Sequence, residues 1–192
     1  MEGYGVIDLD RLYEEKHVFR FFADHLSYPE EHTFYNGKGI PLSPSHPGYT
    51  HIIKYWDIMS RKSIDEIQSH YTETFDFQKD ATLFMTFVKY EDSKERGQML
   101  ARLKLLYEMF GLMMPKGELS DLLPLMCEFI YAAEWKGDPR AQQSFSLLLA
   151  VLEDGSYHLM NALKKYKSPY YLLVKGMREA FKVCIIHEEA HS

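Results

Sequence analysis

The chain alternates apolar and polar positions with a helical period over most of its length. From Asp8 to Leu26 the residues Leu9, Leu12, Tyr13, Phe19, Phe22, Ala23 and Leu26 recur at i, i+3 and i+4. That spacing predicts one amphipathic helix with an aspartate at its start. Tyr28-Pro29 ends it. The next stretch, residues 28–48, carries Pro29, Pro41, Pro44 and Pro47, half of the eight prolines. Prolines at this density remove backbone donors and block helix, so a long loop is expected, and a loop of about 20 residues is usually functional or mobile.

Helical spacing resumes at Tyr49 with Ile52, Ile53, Trp56 and Met59. The tetrapeptide Ser63-Ile-Asp-Glu66 reads as a capping box, followed by Ile64, Ile67 and Tyr71 on one face. The stretch "ATLFMTFVKY" (81–90) fits helix or strand; its helical neighbours favour helix. Ser93 starts a helix striped by Met99, Leu100, Leu103, Leu106, Tyr107 and Phe110, and Gly111 stops it. Ser120 is placed to cap a helix in which Pro124 occupies the first turn, where proline is tolerated. Asp138-Pro139 opens a helix through Leu152, and Ser168-Pro169 opens a last one towards Cys184. The expectation is a single all-α domain, residues 1–192, built as a bundle of about seven to eight helices.

Composition narrows the function classes. Hydrophobic residues make up 46% of the 192 positions, enough for a folded core, and the net charge is −6. An acidic surface disfavours nucleic acid and anionic membranes and favours a basic partner. The two cysteines, Cys127 and Cys184, stand apart, and buried thiols are expected rather than a disulfide. The acidic N-terminal stretch lacks a basic, apolar leader, and no run is long enough to cross a bilayer. A soluble cytoplasmic protein without direct membrane insertion is therefore expected.

One catalytic pattern is present. His187-Glu188-Glu189-Ala190-His191 matches H-E-x-x-H, in which two histidines on one helical face bind zinc and the glutamate activates water. A zinc hydrolase needs a third protein ligand, and only Ser192 follows. Chain ends also fray unless docked. Residues 187–192 are therefore expected to be a solvated tail and the match a chance one, leaving no metal and no catalytic residue. Nucleophile elbows, phosphate loops and dinucleotide fingerprints are absent. The remaining histidines, at 17, 25, 32, 46, 51, 70 and 158, form no cluster in sequence.

Three segments carry a family resemblance: a Tyr-x-x-x-Phe-Asp segment from Tyr71 to Phe77, Arg96-Gly97 in "DSKERG", and "ELSDLLPLMCEF" from Glu118 to Phe129. With "LSYPEE" from Leu26 to Glu31, they make the stretch Leu26–Trp135 resemble the delta-subunit family of respiratory nitrate reductases, the NarJ-type assembly chaperones. Departures are Ser120 and Leu122 where the family has proline and an aromatic or histidine, Glu91-Asp92 where Gly-Asp is frequent, and the proline-rich loop. The resemblance implies an all-helical chaperone, not an enzyme. It would bind the N-terminal, signal-like segment of the nitrate reductase alpha subunit while molybdenum cofactor and an iron–sulfur cluster enter that client. Those cofactors would belong to the client, so none is expected here. Partner-binding candidates are Tyr71, Asp76, Arg96, Glu118, Asp121, Pro124, Met126 and Phe129. Glu118 and Asp121 are offered either as an acidic rim or as groups favouring the helix N-terminus at Ser120. Asp76 and Arg96 are offered as an ion pair between helices. Met109, Met113, Met114 and Met126 suit an adaptable apolar groove. A chaperone for another molybdoenzyme of the dimethyl sulfoxide reductase group stays open, as does a helical scaffold that pairs into a homodimer.

Overall fold

Asp8 caps the first helix, α1 (Leu9–Glu15), its carboxylate accepting from the N–H groups of Asp10 and Arg11 at 3.1 and 3.0 Å. The single helix expected from Asp8 to Leu26 breaks at Lys16, and α2 runs His17–Leu26. Contacts from a distant segment gather at this point. Lys16 Nζ donates to Ala133 O at 3.0 Å and to Glu134 Oε1 at 2.7 Å, and Trp135 Nε1 donates to Leu9 O at 3.0 Å. Apolar spacing does not register the break because both halves face one core.

The computed structural model describes residues 6–35 and 39–186; the H-E-x-x-H segment, with His187, Glu188 and His191, lies outside them. The proline-rich stretch contains a short helix, α3 (Glu31–Tyr35), and buries Phe34 and Leu42, so it is tethered to the body. Next come α4 (Tyr49–Met59) and α5 (Ile64–Phe75). The capping box at Ser63 is complete: Glu66 N donates to Ser63 Oγ, and Ser63 N donates to Glu66 Oε2 at 2.8 Å. In 81–90 the expected helix is largely replaced. A 3-10 turn (Lys79–Ala81) leads into an extended stretch bridged at Phe84 to Leu122, and only α6 (Phe87–Tyr90) is helical.

Ser93 caps α7 (Lys94–Met109), and Gly111 follows with φ +87°, a left-handed turn that glycine adopts freely. Helix α8 (Leu123–Ala132) starts with Pro124 in its first turn. Ser120 does not cap it; its hydroxyl donates to Leu100 O at 2.7 Å. Helix α9 (Ala141–Lys165) continues 13 residues beyond the expected end at Leu152. Helix α10 (Tyr170–Lys182) follows the Ser168-Pro169 start. Strand β1 (Val6–Ile7) pairs antiparallel with β2 (Ile185–Ile186). Ten α-helices thus stand among the described residues, against seven or eight expected. The split of the first helix and the short α3 account for the two beyond eight. The all-α class itself holds.

Helix α2 packs on α8, and α4 and α9 on α10. Two glycines permit close approaches. A Cβ at Gly155, mid-α9, would lie 2.5 Å from Met85 O, so the bare backbone lets the extended stretch lie against the helix. A Cβ at Gly176 would lie 2.4 Å from Ile52 Cδ1 at the α4–α10 crossing. Cys127 and Cys184 are free and buried. Among the described residues no helix is long and apolar enough to cross a membrane.

Candidate functional site

The segments that carried the resemblance meet in two clusters. The first is a buried polar knot. Met85 N donates to Asp121 O and Leu123 N to Leu83 O, both at 2.9 Å, so the extended stretch and the lead-in to α8 form a two-bond ladder. This ladder brings Thr86 beside Asp121. Asp121 Oδ2 accepts from Thr86 N at 3.1 Å, from Thr86 Oγ1 at 2.5 Å and from Arg96 Nη2 at 3.3 Å. Arg96 Nε also donates to Thr86 Oγ1 at 3.0 Å. Phe87 lies under the guanidinium, 5.3 Å from its centre. Tyr107 Oη donates to Ser120 O at 2.6 Å, and burial, then the Asp121 charge, raises the Tyr107 pKa.

The second cluster joins the Leu26–Glu31 segment to Tyr71. Tyr71 Oη donates to Leu26 O at 2.9 Å, Gln68 Nε2 donates to Pro29 O at 2.8 Å, and the rings of Tyr28 and Phe75 meet Tyr71 edge-on. Tyr71 is held neutral because burial raises its pKa. Tyr170 completes this aromatic nest from α10.

Sequence reasoning placed eight residues at the partner surface, and six of them lie beneath it. Tyr71, Arg96, Asp121, Pro124, Met126 and Phe129 are buried; Asp76 and Glu118 are exposed. An acidic rim made by Asp121 does not exist in this conformation, because Asp121 is 0% exposed and faces Arg96. Nor does Arg96 pair with Asp76, which ends α5 at the surface while Arg96 turns inward to Asp121. The sequence reading missed Thr86, because its segment was read as helix.

What the surface does offer is an apolar strip on α7, where Leu105 and Met109 stand one turn apart and are 59% and 37% exposed; Met113 (89%) and Leu119 (39%), in the loop that follows, are exposed as well. Ser144 Oγ touches Met109 Sδ at 3.8 Å, so the start of α9 flanks the strip. Glu118 is exposed next to Leu119 in that loop. The signal was present in the sequence: Leu105 falls outside the buried stripe of Leu103, Leu106 and Tyr107, so α7 carries apolar residues on two faces. Among the described residues no group of His, Cys, Asp and Glu is arranged to hold a metal.

No family model matches the chain. Over 83 residues it is 36% identical to a protein of Bacillus subtilis named a probable nitrate reductase molybdenum cofactor assembly chaperone, NarJ; the aligned part is 43% of this chain and 45% of that protein. Over 102 residues it is 28% identical to the nitrate reductase-like protein NarX of Mycobacterium tuberculosis, covering 53% of this chain and 15% of that one. The aligned stretch thus spans less than half the length of the curated relatives it matches. The resemblance to NarJ-type chaperones thus agrees with a similarity over 83 residues to a protein of that name.

Proposed function

We propose that this chain is a dedicated, non-enzymatic assembly chaperone for a respiratory nitrate reductase. In this reading it binds the N-terminal segment of the apo alpha subunit in the cytoplasm and holds that subunit while molybdenum cofactor is inserted. The similarity to the Bacillus subtilis chaperone is the observation that carries the reading. The all-helical body is compatible with it. So are the exposed apolar side chains of Leu105 and Met109 on α7 and of Met113 and Leu119 in the loop after it, where an amphipathic client segment would bury its apolar face. Methionine side chains fit such a task because they repack against different partners. The net charge of −6 favours encounter with a basic segment, and Glu118 stands beside the strip to meet one. Of the buried motif residues, Arg96 and Asp121 then act indirectly: with Thr86 they tie α7 to the lead-in to α8 and so hold the strip in shape.

Titration calorimetry with a synthetic peptide from the start of the alpha subunit tests the reading. The expected result is saturable binding well below millimolar, and an affinity no better than about 1 mM, about −4 kcal/mol, overturns it.

A further inference from the structure

The segment that lies against the buried ion pair is itself weakly held. It runs from Thr86 to Asp92, between Met85, which packs against Gly155, and Ser93, which caps α7. Thr86 is its one buried residue. Helix α6 is a single turn and buries none of its residues. Val88 is exposed, and Lys89 meets Asp154 in a surface pair at 3.3 Å, a kind of contact that contributes little in water. Beneath the segment lie Arg96 and Asp121. Both Thr86 donors reach the carboxylate, and the Phe87 ring lies on the guanidinium.

Two features raise the energy of this closed arrangement. The first is backbone strain. Glu91 has φ +45° and ψ −130°. Ser93 N donates to Tyr90 O at 3.0 Å, so Glu91 is the first central residue of a tight turn, and at that place a positive φ belongs to glycine. Such strain persists only where the surroundings impose it, and it gathers at switch segments. The second is Asp121 Oδ1, which is buried and has no hydrogen-bond partner; water would satisfy it. Opening relieves both. It does not strand Arg96, whose guanidinium also faces the exposed Asp92 carboxylate at 3.7 Å. We propose that residues 86–92 form a strap hinged at Glu91 that lifts from the folded body and admits water to the Asp121 carboxylate. Met85 stays behind, held by the ladder to Asp121 and Leu123. The closed strap hides the carboxylate, and the open strap offers it to a cation. The device rests on the fold alone and not on the client assigned above.

Amide hydrogen exchange of the intact protein, followed by NMR, tests the strap. Thr86 N is buried and hydrogen-bonded, so it exchanges only when the strap lifts or the whole body unfolds. The amides of Phe129 and Ile130 in α8 report the second event. Corrected for intrinsic rates, Thr86 is expected to exchange at least about tenfold faster than these two, with Met85 among the slow amides. Thr86 exchanging at the α8 rate, or Met85 as fast as Thr86, overturns the strap. Glu91 is exposed, so its replacement leaves the packing intact. Glu91→Gly removes strain from the closed form and is expected to slow Thr86 exchange several-fold, whereas Glu91→Ala keeps the strain and leaves the rate unchanged. Equal effects of the two substitutions overturn the hinge. Coupling of an amine to carboxylates with a carbodiimide, read by mass spectrometry, tests exposure. Asp121 is expected to be labelled in the native protein, and more slowly in Glu91→Gly. An unlabelled Asp121 beside fully labelled Asp92 and Glu118 overturns its access to water.

Discussion

Arg96 and Asp121 form an ion pair in the core in which only one carboxylate oxygen is used. Oδ2 receives the guanidinium and both Thr86 donors, while Oδ1 is buried and has no hydrogen-bond partner. Buried charges are tolerated when paired; without Asp121 the Arg96 guanidinium keeps only the exposed Asp92 carboxylate at 3.7 Å, and without Arg96 the buried Asp121 loses its cation. Asp121→Leu is therefore expected to destabilise the protein by about 3–5 kcal/mol, with Arg96→Met in the same direction. The double change Arg96→Met with Asp121→Leu should cost less than the sum of the two, because it removes both charges. Urea unfolding of all four proteins measures this coupling.

Two helical glycines predict opposite signs for one substitution. Gly97, in the exposed part of α7, has nothing within 4 Å of a Cβ. Gly97→Ala should stabilise by about 0.5–1 kcal/mol, since alanine restricts the unfolded chain and favours helix. Gly155→Ala gains the same propensity but drives its methyl into the Met85 backbone, where a main-chain atom cannot step aside. Net destabilisation is expected, seen as a lower midpoint in urea.

Acid should weaken the fold through His25. Its folded pKa of about 3 lies below the ordinary value of 6.5, because burial penalises the imidazolium. Between those values the unfolded chain binds the proton and the folded one does not, so stability is full above pH 6.5 and falls as the pH drops towards 3. The loss from this group approaches about 1.4 kcal/mol per pH unit inside the window. His25→Phe should flatten the slope of unfolding free energy against pH between 6.5 and 4.5, at some cost in packing that is the same at every pH.

Leu105→Glu and Met109→Glu test the strip on α7. Both side chains are already partly in water, so the helix content and unfolding midpoint should change little. Binding of the client peptide should weaken about tenfold or more for each, equivalent to about 1.4 kcal/mol. Unchanged peptide affinity in folded variants would move the docking surface elsewhere.

Local chemistry was legible in the sequence, and distant chemistry was not. The caps at Asp8, Ser63 and Ser93 were readable because the donor lies within three residues of the acceptor. The break at Lys16 was not; the groups that Lys16 meets there, Ala133 and Glu134, are 117 and 118 residues away. The extended stretch before Thr86 looked helical because its hydrogen bonds go to Asp121 and Leu83–Leu123 rather than to its own turns. That error hid Thr86 and left Arg96 assigned to Asp76. Burial of Asp121 was equally invisible, because an aspartate at a helix start usually faces solvent. Six of the eight partner-binding candidates are buried, whereas Met109 and Met113, read from the sequence as suiting an apolar groove, are exposed, as are Leu105 and Leu119.

The two thiols give the molecule an internal clock. Cys127 and Cys184 are both buried, and burial raises both pKa values, that of Cys184 to about 12. Since the thiolate is the reacting species, each is shielded from alkylating reagents twice over, by access and by protonation. Cys184 sits where α10 meets the two-residue ribbon, and its carbonyl accepts from Asp8 N at 2.8 Å; Cys127 sits mid-α8 against Met177. Fraying of the ribbon exposes the first, whereas only loss of the central packing exposes the second. The relative rates of modification at these two sulfurs thus separate peripheral breathing from whole-body opening, without any label being introduced.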